Sequence, residues 1–396
     1  MRTFLFVPPL PRMTGGLAVL YRMAAHLHAA GYPVFLVPRE GGAPGLDPDN
    51  PPAPVMAWDE AAGVVAPRDV WLVPEGWVNA LAPGLRAGAR CVVYVQNWAY
   101  LLSSLPPGVA WPQLDVSFLA VSDPVAWYTR EVTGREAPVL RPGIDLELFH
   151  PAWVKRTERT DGADGPGGSS GPDKPTGDDA PADGDAGAAI PDGPARGPVR
   201  IAWMPRKNRA LAQQVRELLT ARLALAASRG ERPVEVEWRE IHGRSHAEVA
   251  DLLRTSHVFL ATGFPEGCPL PPLEALASGC LLVGFAGFGG WDYMRQALPG
   301  GVTPWWTGGG PETDAASGGM ELPPNGYFAA DADVVAAGLA PERAVRLAAT
   351  GGPELAALRR AGLATAWACS LERQREAVLA LWERVAKGAL FPPARG

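Results

Sequence analysis

Short apolar runs alternate with helical patterns along most of this chain, and this alternation is the feature that most constrains its fold. In the first part of the sequence, apolar runs typical of buried strands occupy residues 4–7, 32–37, 70–73, 91–95 and 117–121. Between the first two runs, a helical pattern presents one apolar face, formed by Leu17, Leu20, Tyr21, Ala24 and Leu27. Strands and helices that alternate in this way predict a doubly wound parallel sheet.

The same alternation resumes after residue 198 and predicts a second sheet. Apolar runs lie at residues 199–204, 234–239, 258–260 and 281–285, and helical patterns occupy residues 210–227 and 273–278. Ser245 and Glu248 form the pattern of a capping box at the start of another helix. In the first part, Asp123 and Pro124 similarly predict the cap and first turn of a helix. A chain of 396 residues is too long for one ordinary core, so we expect two α/β domains.

Residues 155–198 separate the two predicted domains, which are residues 1–154 and 199–396. This segment consists largely of Gly, Pro, Asp, Ala and Ser. It contains too few large apolar residues to offset its ordering entropy, so we predict a disordered insert, of which residues 160–195 touch neither domain core. Eight aspartates and one lysine give residues 161–194 a net charge of −7, whereas the whole chain carries −6. The remainder is nearly neutral, and no nucleic-acid partner is expected.

Residues 264–280, FPEGCPLPPLEALASGC, place two acids eight positions apart around the predicted start of a helix. Pro272 suits the first helical position, and Gly279 suits the position just past the last. A helix start that faces a loop offers N–H groups and partial positive charge to a diphosphate. Glu274, predicted in the first turn, can accept hydrogen bonds from ribose hydroxyls, and Glu266 on the loop can reach a sugar. The segment therefore fits a nucleotide sugar; the alternative is a proline-rich turn with two solvated acids.

This segment resembles the signature of the retaining glycosyltransferases of the GT-B fold, in particular the family 4 group, in which seven residues separate two acids. Other segments resemble that family in the same order along the chain. They are Gly15-Gly16 after the first strand, LRPGIDLELFHP at residues 140–151 near the hinge, and IAWMPRKN at residues 201–208, where the family binds the donor phosphates. The resemblance implies two facing Rossmann-like, doubly wound parallel-sheet domains, with a C-terminal helix that crosses back to pack on the first domain.

The resemblance also implies roles for individual residues. Lys207, and secondarily Arg206, would stabilise the charge on a departing nucleotide diphosphate, with Glu266 beside the transferred sugar. The implied donor-binding positions are Glu274, Gly267, Cys268, Leu270, Ile241, His242, Gly15 and Gly16. Gln96 and Asn97 would lie on the acceptor or sugar side. For His242 a plain loop position, and for Cys268 a space-filling role, remain open alternatives.

The implied activity is retaining, metal-independent transfer of a hexose or related sugar from a nucleotide-sugar donor to a glycan or a lipid-linked acceptor. The donor is a co-substrate, and no cofactor is expected. Three departures from the family pattern bear on this expectation. Ile201 stands where the family usually has a second arginine, Gln96 and Asn97 occupy the segment where many members have a histidine, and Pro269 replaces a glycine. They keep open a GT-B-like protein that binds a nucleotide sugar or glycan without turnover.

Other classes are disfavoured by motifs that the sequence lacks. Thr14-Gly15-Gly16-Leu17 is not the G-x-G-x-x-G of a dinucleotide fold, and no G-x-x-x-x-G-K-[ST] is present. We set aside the D-x-D strings at residues 47–49, 183–185 and 331–333 as metal sites. The four cysteines form no C-x-x-C pair, which is typical of reduced thiols in a cytosolic protein. Without a signal-peptide pattern or a long apolar run, we expect a cytoplasmic location, with peripheral contact at the inner membrane face as a further possibility.

Overall fold

The computed structural model describes residues 1–39, 43, 45–47, 49–153, 193–301 and 322–391. Most of the predicted insert, including the D-x-D string at 183–185, lies outside the described residues, as does most of the glycine-rich segment 305–324. We refer to residues 1–153 as the first half of the protein. The second half comprises the described residues from 193 onward.

The first half contains a five-stranded sheet in which every pairing is parallel. Its strands are β1 (Thr3–Val7), β2 (Val34–Pro38), β3 (Val70–Pro74), β4 (Arg90–Val95) and β5 (Ser117–Ala120). They lie in the order β2-β1-β3-β4-β5. The helices are α1 (Gly15–Ala29), α2 (Trp58–Val64), α3 (Ala82–Arg86), α4 (Trp98–Ser103) and α5 (Asp123–Thr133). Strands β1 and β3 are buried along their whole length, as expected for a parallel sheet covered on both faces.

The second half contains another five-stranded parallel sheet, in the order β10-β9-β8-β6-β7. Its strands are β6 (Val199–Trp203), β7 (Val236–Glu240), β8 (Val258–Ala261), β9 (Leu281–Phe285) and β10 (Gly326–Ala329). Its helices are α6 (Arg209–Ser228), α7 (His246–Arg254), α8 (Leu270–Ala277), α9 (Gly287–Gly290), α10 (Val334–Thr350), α11 (Pro353–Ala368) and α12 (Leu371–Ala386). The prediction of two doubly wound parallel sheets is confirmed. Strand β10 was not predicted, and residues 287–290, whose three glycines are typical of a loop, form a short helix.

The last helix, α12, packs on the first half of the protein. Val378, Leu381, Trp382 and Val385 belong to the core that surrounds the first sheet. The Trp382 indole N–H donates to the Thr3 hydroxyl at 2.9 Å. The chain therefore crosses back to its own beginning, and α12 joins the two halves through buried apolar surface.

Two predicted helix starts differ from the structure. Helix α8 begins at Leu270, with Pro271 in its opening positions, so Pro272 is not the first helical residue. Glu274 consequently lies beyond the first turn, which contains no acid. Helix α5 is capped by Ser122, whose hydroxyl accepts from the Val125 N–H, and Asp123 is already helical. A proline predicts that a helix begins nearby, but several neighbouring positions tolerate it because the first turn has no intrahelical N–H partner to lose.

The end of the predicted insert contacts the second half. The backbone N–H of Ala195 donates to the Ala348 carbonyl at 2.8 Å, and Ala195 packs against the apolar core around β6 and α10. The prediction that residues 160–195 touch neither domain core is therefore wrong at Ala195. A single small apolar residue and one backbone hydrogen bond are enough to attach the segment before β6 begins.

None of the helices in the described residues combines the length and the apolar character needed to cross a membrane.

Candidate active site

The two halves meet at the carboxyl ends of their strands, where glycines allow the backbones to touch. A Cβ atom at Gly267 would lie 2.0 Å from the carbonyl oxygen of Gln96, and one at Gly16 would lie 2.4 Å from the Gln96 Oε1 atom. At Gly15, a Cβ atom would lie 3.7 Å from a methyl carbon of Leu270, the first residue of α8. The structure thus brings five of the predicted site positions from both halves into one contact region.

Lys207 follows β6 and is held by the turn that leads into α6. The next residue, Asn208, has a φ of 56°, a left-handed conformation that asparagine tolerates better than most residues. Its side-chain amide donates to the carbonyl oxygens of Thr262 and Phe264 at 2.8 and 3.0 Å, which ties this turn to the loop after β8. Asn208 therefore holds the turn that carries Lys207 against the loop after β8.

The Lys207 side chain reaches the loop that carries Glu266. Its Nζ atom lies 2.7 Å from Glu266 Oε1 and donates to the Pro265 carbonyl at 2.9 Å. Both side chains of the ion pair are about a quarter exposed, so the pair opens to the cleft. The two residues that the sequence singled out as cation and acid are thus direct neighbours. Arg206 is exposed, and Ile201 is fully buried in β6.

Gln96 and Asn97 follow β4 and face the second half. The Gln96 side-chain amide donates to the Gly16 carbonyl at 3.1 Å, and the Asn97 side-chain amide donates to the Pro265 carbonyl at 3.2 Å. Asn97 also begins α4, because its Oδ1 atom accepts from the Ala99 N–H at 3.1 Å. One carbonyl, that of Pro265, therefore receives hydrogen bonds from Asn97 of the first half and Lys207 of the second.

Sequence reasoning missed Glu75, which directly follows β3. Its carboxylate is 4% exposed and accepts from the backbone N–H groups of Gln96 and Asn97, both at 2.9 Å. Burial raises the pKa of Glu75 to about 7, although the two backbone hydrogen bonds act in the opposite direction. An acid directly after a buried strand of a parallel sheet was the signal available in the sequence, since ligands of such sheets bind at that edge.

Glu274 lies inside α8 and is 6% exposed. Burial raises its pKa to about 7, and the positive charge of Arg22 opposes this rise. Arg22 belongs to α1 of the first half, where its Nη1 atom donates to the Gly143 carbonyl at 2.8 Å. Sequence reasoning missed Arg22, because a helical arginine shows no pattern that points across to the other half.

Cys268 lies between the two cores and packs against both. Burial raises the pKa of its thiol well above the ordinary value, and the negative charge of Asp292 adds to this effect. The thiol is therefore protonated near neutral pH and is a poor nucleophile.

Ile241 and His242 follow β7, at the edge of the second sheet. Ile241 is 4% exposed, and its N–H donates to the Trp203 carbonyl at 2.9 Å, whereas His242 is exposed. These two positions lie at the carboxyl edge of the sheet, but they are not among the residues that form the contact region between the halves.

A charged cluster also joins the halves beside this region. Arg141 donates through Nε to Asp292 at 2.7 Å and through Nη2 to Asp123 at 2.6 Å. The Ser122 hydroxyl donates to the Gly267 carbonyl at 2.7 Å. Among the described residues, no group of three or more His, Cys, Asp or Glu side chains is arranged to hold a metal ion.

No protein-family profile matches the sequence, and no curated protein matches it significantly. The fold, by contrast, is similar to several solved structures over nearly the whole chain. Sucrose-phosphate synthase from Thermosynechococcus elongatus is 12% identical, with a TM-score of 0.57, and the match covers 98% of this chain and 100% of that one. HepE from Anabaena, solved with UDP and glucose, is 10% identical, with a TM-score of 0.58 and coverage of 97% and 100%.

The catalytic domain of starch synthase IV from Arabidopsis thaliana, bound to ADP and acarbose, is also similar. It is 13% identical, with a TM-score of 0.56 and coverage of 97% and 99%. At sequence identities of 10–13%, these comparisons show similarity of fold alone. Two five-stranded parallel sheets facing each other, a helix that crosses back, and these matches together show that the chain has the GT-B fold.

Proposed function

We propose that this protein is a glycosyltransferase that moves a sugar from a nucleotide-sugar donor to an acceptor hydroxyl, with retention of anomeric configuration and without a metal. The observation that carries the proposal is the Lys207–Glu266 ion pair of 2.7 Å at the junction of the two halves, beside the start of α8. Gln96 and Asn97 face this pair from the first half. A cation, an acid and the Leu270 N–H at the start of a helix suit a sugar joined to a diphosphate.

The chemistry requires stabilisation of the leaving group. Breaking the bond between the anomeric carbon and the phosphate oxygen leaves negative charge on the nucleotide diphosphate. Lys207 and the backbone N–H of Leu270, the first residue of α8, are positioned to stabilise that charge, whereas Pro271 and Pro272 have no N–H to contribute. Glu266 then accepts hydrogen bonds from sugar hydroxyls, and Glu274 is assigned to the ribose, as the family resemblance implies.

Retention is proposed through attack on the same face that the leaving group vacates. The acceptor oxygen bonds to the anomeric carbon, and its proton passes to the departing phosphate oxygen, so no enzymic nucleophile takes part. This route is supported by the protonated thiol of Cys268. It is supported also by Gln96 and Asn97, whose side-chain amides cannot act as an acid or a base near neutral pH.

The donor class is supported by the structural neighbours, in which HepE holds UDP and glucose and starch synthase IV holds ADP. These neighbours carry different bases, so the proposal is limited to a nucleoside diphosphate sugar. The proposed acceptor is a glycan or a lipid-linked precursor, reached from the cytoplasmic side of the membrane. Assignment of the acceptor rests on the family resemblance alone.

A direct test is donor hydrolysis, which many transferases perform slowly without an acceptor. Purified protein is first screened by thermal shift against UDP, GDP, ADP, CMP and dTDP sugars, because a ligand at 100 times its Kd stabilises the folded state by about 2.7 kcal/mol. The best donor is then followed by NMR for release of the sugar and for the configuration of the first product. An inverted product, or chemistry that needs an added metal, would contradict the proposed mechanism.

The alternative is a protein that binds a nucleotide sugar or glycan without turnover. Two observations favour it: Ile201 is buried where the family usually has a second cation, and Lys207 is already neutralised by Glu266. The same experiment separates the two functions. Tight, saturable donor binding without hydrolysis or transfer would establish the binding protein.

A further inference from the structure

Glu75 spans the gap between two neighbouring strand ends of the first sheet. It follows β3, and its two carboxylate oxygens accept one backbone N–H each from the residues that follow β4. Gln96 donates to Oε2 and Asn97 to Oε1, both at 2.9 Å. One buried side chain therefore sets the conformation of the turn that leaves β4.

The residues that Glu75 holds make contacts across the junction of the halves. Asn97 donates through its side chain to the Pro265 carbonyl, which also accepts from Lys207 at 2.9 Å. Gln96 donates to the Gly16 carbonyl, and its own carbonyl touches Gly267 closely enough to exclude any side chain there. A continuous series of hydrogen bonds thus runs from Glu75 through Asn97 and Pro265 to Lys207.

We propose that Glu75 is a positioning residue of the active site: its carboxylate holds the turn after β4 so that Asn97 and Lys207 share the Pro265 carbonyl. This role depends on the glycosyl transfer proposed above and concerns a residue that touches neither donor nor acceptor. Through Pro265, Glu75 fixes the loop that carries Glu266 and the position of the ammonium group beside it.

The ionised form of Glu75 performs this role best. A carboxylate accepts at both oxygens, whereas the protonated acid carries a hydrogen on one of them and competes with an incoming N–H. Within the described residues, the titratable side chain that faces Glu75 is Tyr94 on β4, whose pKa is raised well above the ordinary value, first by burial. From α4, the Ser104 hydroxyl donates to the Glu75 carbonyl and leaves the carboxylate free for the two amides. With the pKa of Glu75 at about 7, turnover should rise as the pH passes through neutrality.

The test compares Glu75→Gln with a matched control, Asp69→Asn. Asp69 is also buried and also accepts backbone N–H groups, but it precedes β3 and therefore lies at the opposite edge of the sheet. We expect Glu75→Gln to lower kcat for donor hydrolysis by about tenfold, the factor for one lost hydrogen bond to a charged group, with little change in the donor KM. The rise in kcat near pH 7 should disappear. Asp69→Asn should keep both kcat and its pH profile.

Amide hydrogen exchange supplies a readout that does not depend on turnover. In Glu75→Gln, at least one of the Gln96 and Asn97 amides should exchange faster than in the wild type, because the glutamine NH2 group replaces the oxygen that accepts from it. Unchanged exchange at these amides, or unchanged kcat with an unchanged pH profile, would overturn the role of Glu75.

If the proposed glycosyl transfer is wrong, the results differ from those expected if only the role of Glu75 is wrong. In that case the wild type shows no turnover and no nucleotide binding, while the exchange of the two amides still reports on Glu75. If Glu75→Gln does not fold, Glu75→Asp replaces it. Aspartate keeps the charge but is one methylene shorter, so it is expected to lose one of the two amide contacts and the same fraction of kcat.

Discussion

Lys207 and Glu266 form an ion pair of 2.7 Å between the ends of two strands of the second sheet, and the Lys207 ammonium also donates to the Pro265 carbonyl. The side chains are 27% and 26% exposed. Because partly exposed pairs contribute about 1 kcal/mol or less, a diphosphate with two negative charges can take over the ammonium at small cost. The ion pair therefore holds the Lys207 side chain in place and still allows its ammonium group to bind a diphosphate.

Removal of the Lys207 ammonium group should lower the turnover rate more than it weakens donor binding. We expect Lys207→Ala to lower kcat by roughly a hundredfold or more, because charge on the leaving group develops only in the transition state. Arg206→Ala is the comparison variant, because Arg206 is the second candidate for the same role; its side chain is exposed, so a smaller loss is expected. Steady-state donor hydrolysis measures both. Unchanged turnover in Lys207→Ala at saturating donor would exclude Lys207 from the mechanism.

Donor affinity should depend on the ionisation of Glu274. A carboxylate accepts two ribose hydroxyls, and its pKa is raised to about 7 by burial. Affinity for the best nucleoside diphosphate of the thermal-shift screen should therefore increase as the pH rises from 6 to 8. Glu274→Gln should weaken binding by about tenfold and remove this pH dependence, with kcat nearly unchanged. Isothermal titration at three pH values checks the prediction; a fall in kcat alone would contradict the ribose role.

The same ionisation affects stability. The folded pKa of Glu274 lies above its ordinary value of 4.5, so between 4.5 and about 7 the folded state binds more protons than the unfolded state. The contribution of this group to the free energy of unfolding is fully present below pH 4.5 and is lost as the pH rises towards 7. Denaturant titrations of the wild type and Glu274→Gln should diverge over this range, with the wild type losing stability relative to the variant.

Activity should not require a metal. The proposed leaving-group stabilisation uses an ammonium group and the Leu270 N–H at the start of α8, and no cluster of hard oxygen ligands was predicted from the sequence. We expect donor hydrolysis to continue in excess EDTA at its initial rate. Loss of activity that manganese or magnesium restores would overturn the assignment of the phosphate site.

The cluster around Arg141 should stabilise the junction of the halves. The Asp292 side chain is fully buried, so Asp292→Ala leaves Arg141 with only Asp123 and should lower the free energy of unfolding by about 3 kcal/mol. Glu131→Ala breaks the exposed Arg130–Glu131 pair and serves as the control, with an expected change of about 1 kcal/mol or less. Urea denaturation distinguishes the two. Equal effects would show that the cluster is not a buried junction.

Replacement of residues 155–193 by a short glycine-serine linker should leave donor affinity and Tm nearly unchanged, because this sequence lacks the apolar residues needed for a core. Ala195 is retained in this variant, since it contacts the second half. Residues 155–193 carry a net charge of −5, so the replacement changes the net charge of the chain from −6 to about −1 and is expected to lower solubility without altering the fold. A large loss of stability or of turnover would show that the insert takes part in the site.

Most strands and several helix ends could be predicted from the sequence, because short runs of neighbouring residues determine them. Short buried runs predicted all strands of the first sheet and all but β10 of the second, and Ser245 with Glu248 predicted the capping box of α7. Gly279, with a φ of 84°, ends α8 where predicted. The start of α8 was placed too late, because consecutive prolines satisfy several positions of a first turn equally well.

The sequence by itself determined the two parallel sheets, because each strand is predicted from a short run of contiguous residues. Short motifs that resemble a known family likewise indicated Lys207, Glu266, Gln96 and Asn97 as site candidates. Only the tertiary structure decided how these side chains are connected. Glu75 reaches the amides after β4 because β3 and β4 are neighbours in the sheet, and Arg22 faces Glu274 because α1 lies against the second half. Such contacts depend on which elements pack side by side, and the resulting burial raises the pKa values of Glu75 and Glu274. A short segment of chain determines neither the packing of distant elements nor the burial that follows from it.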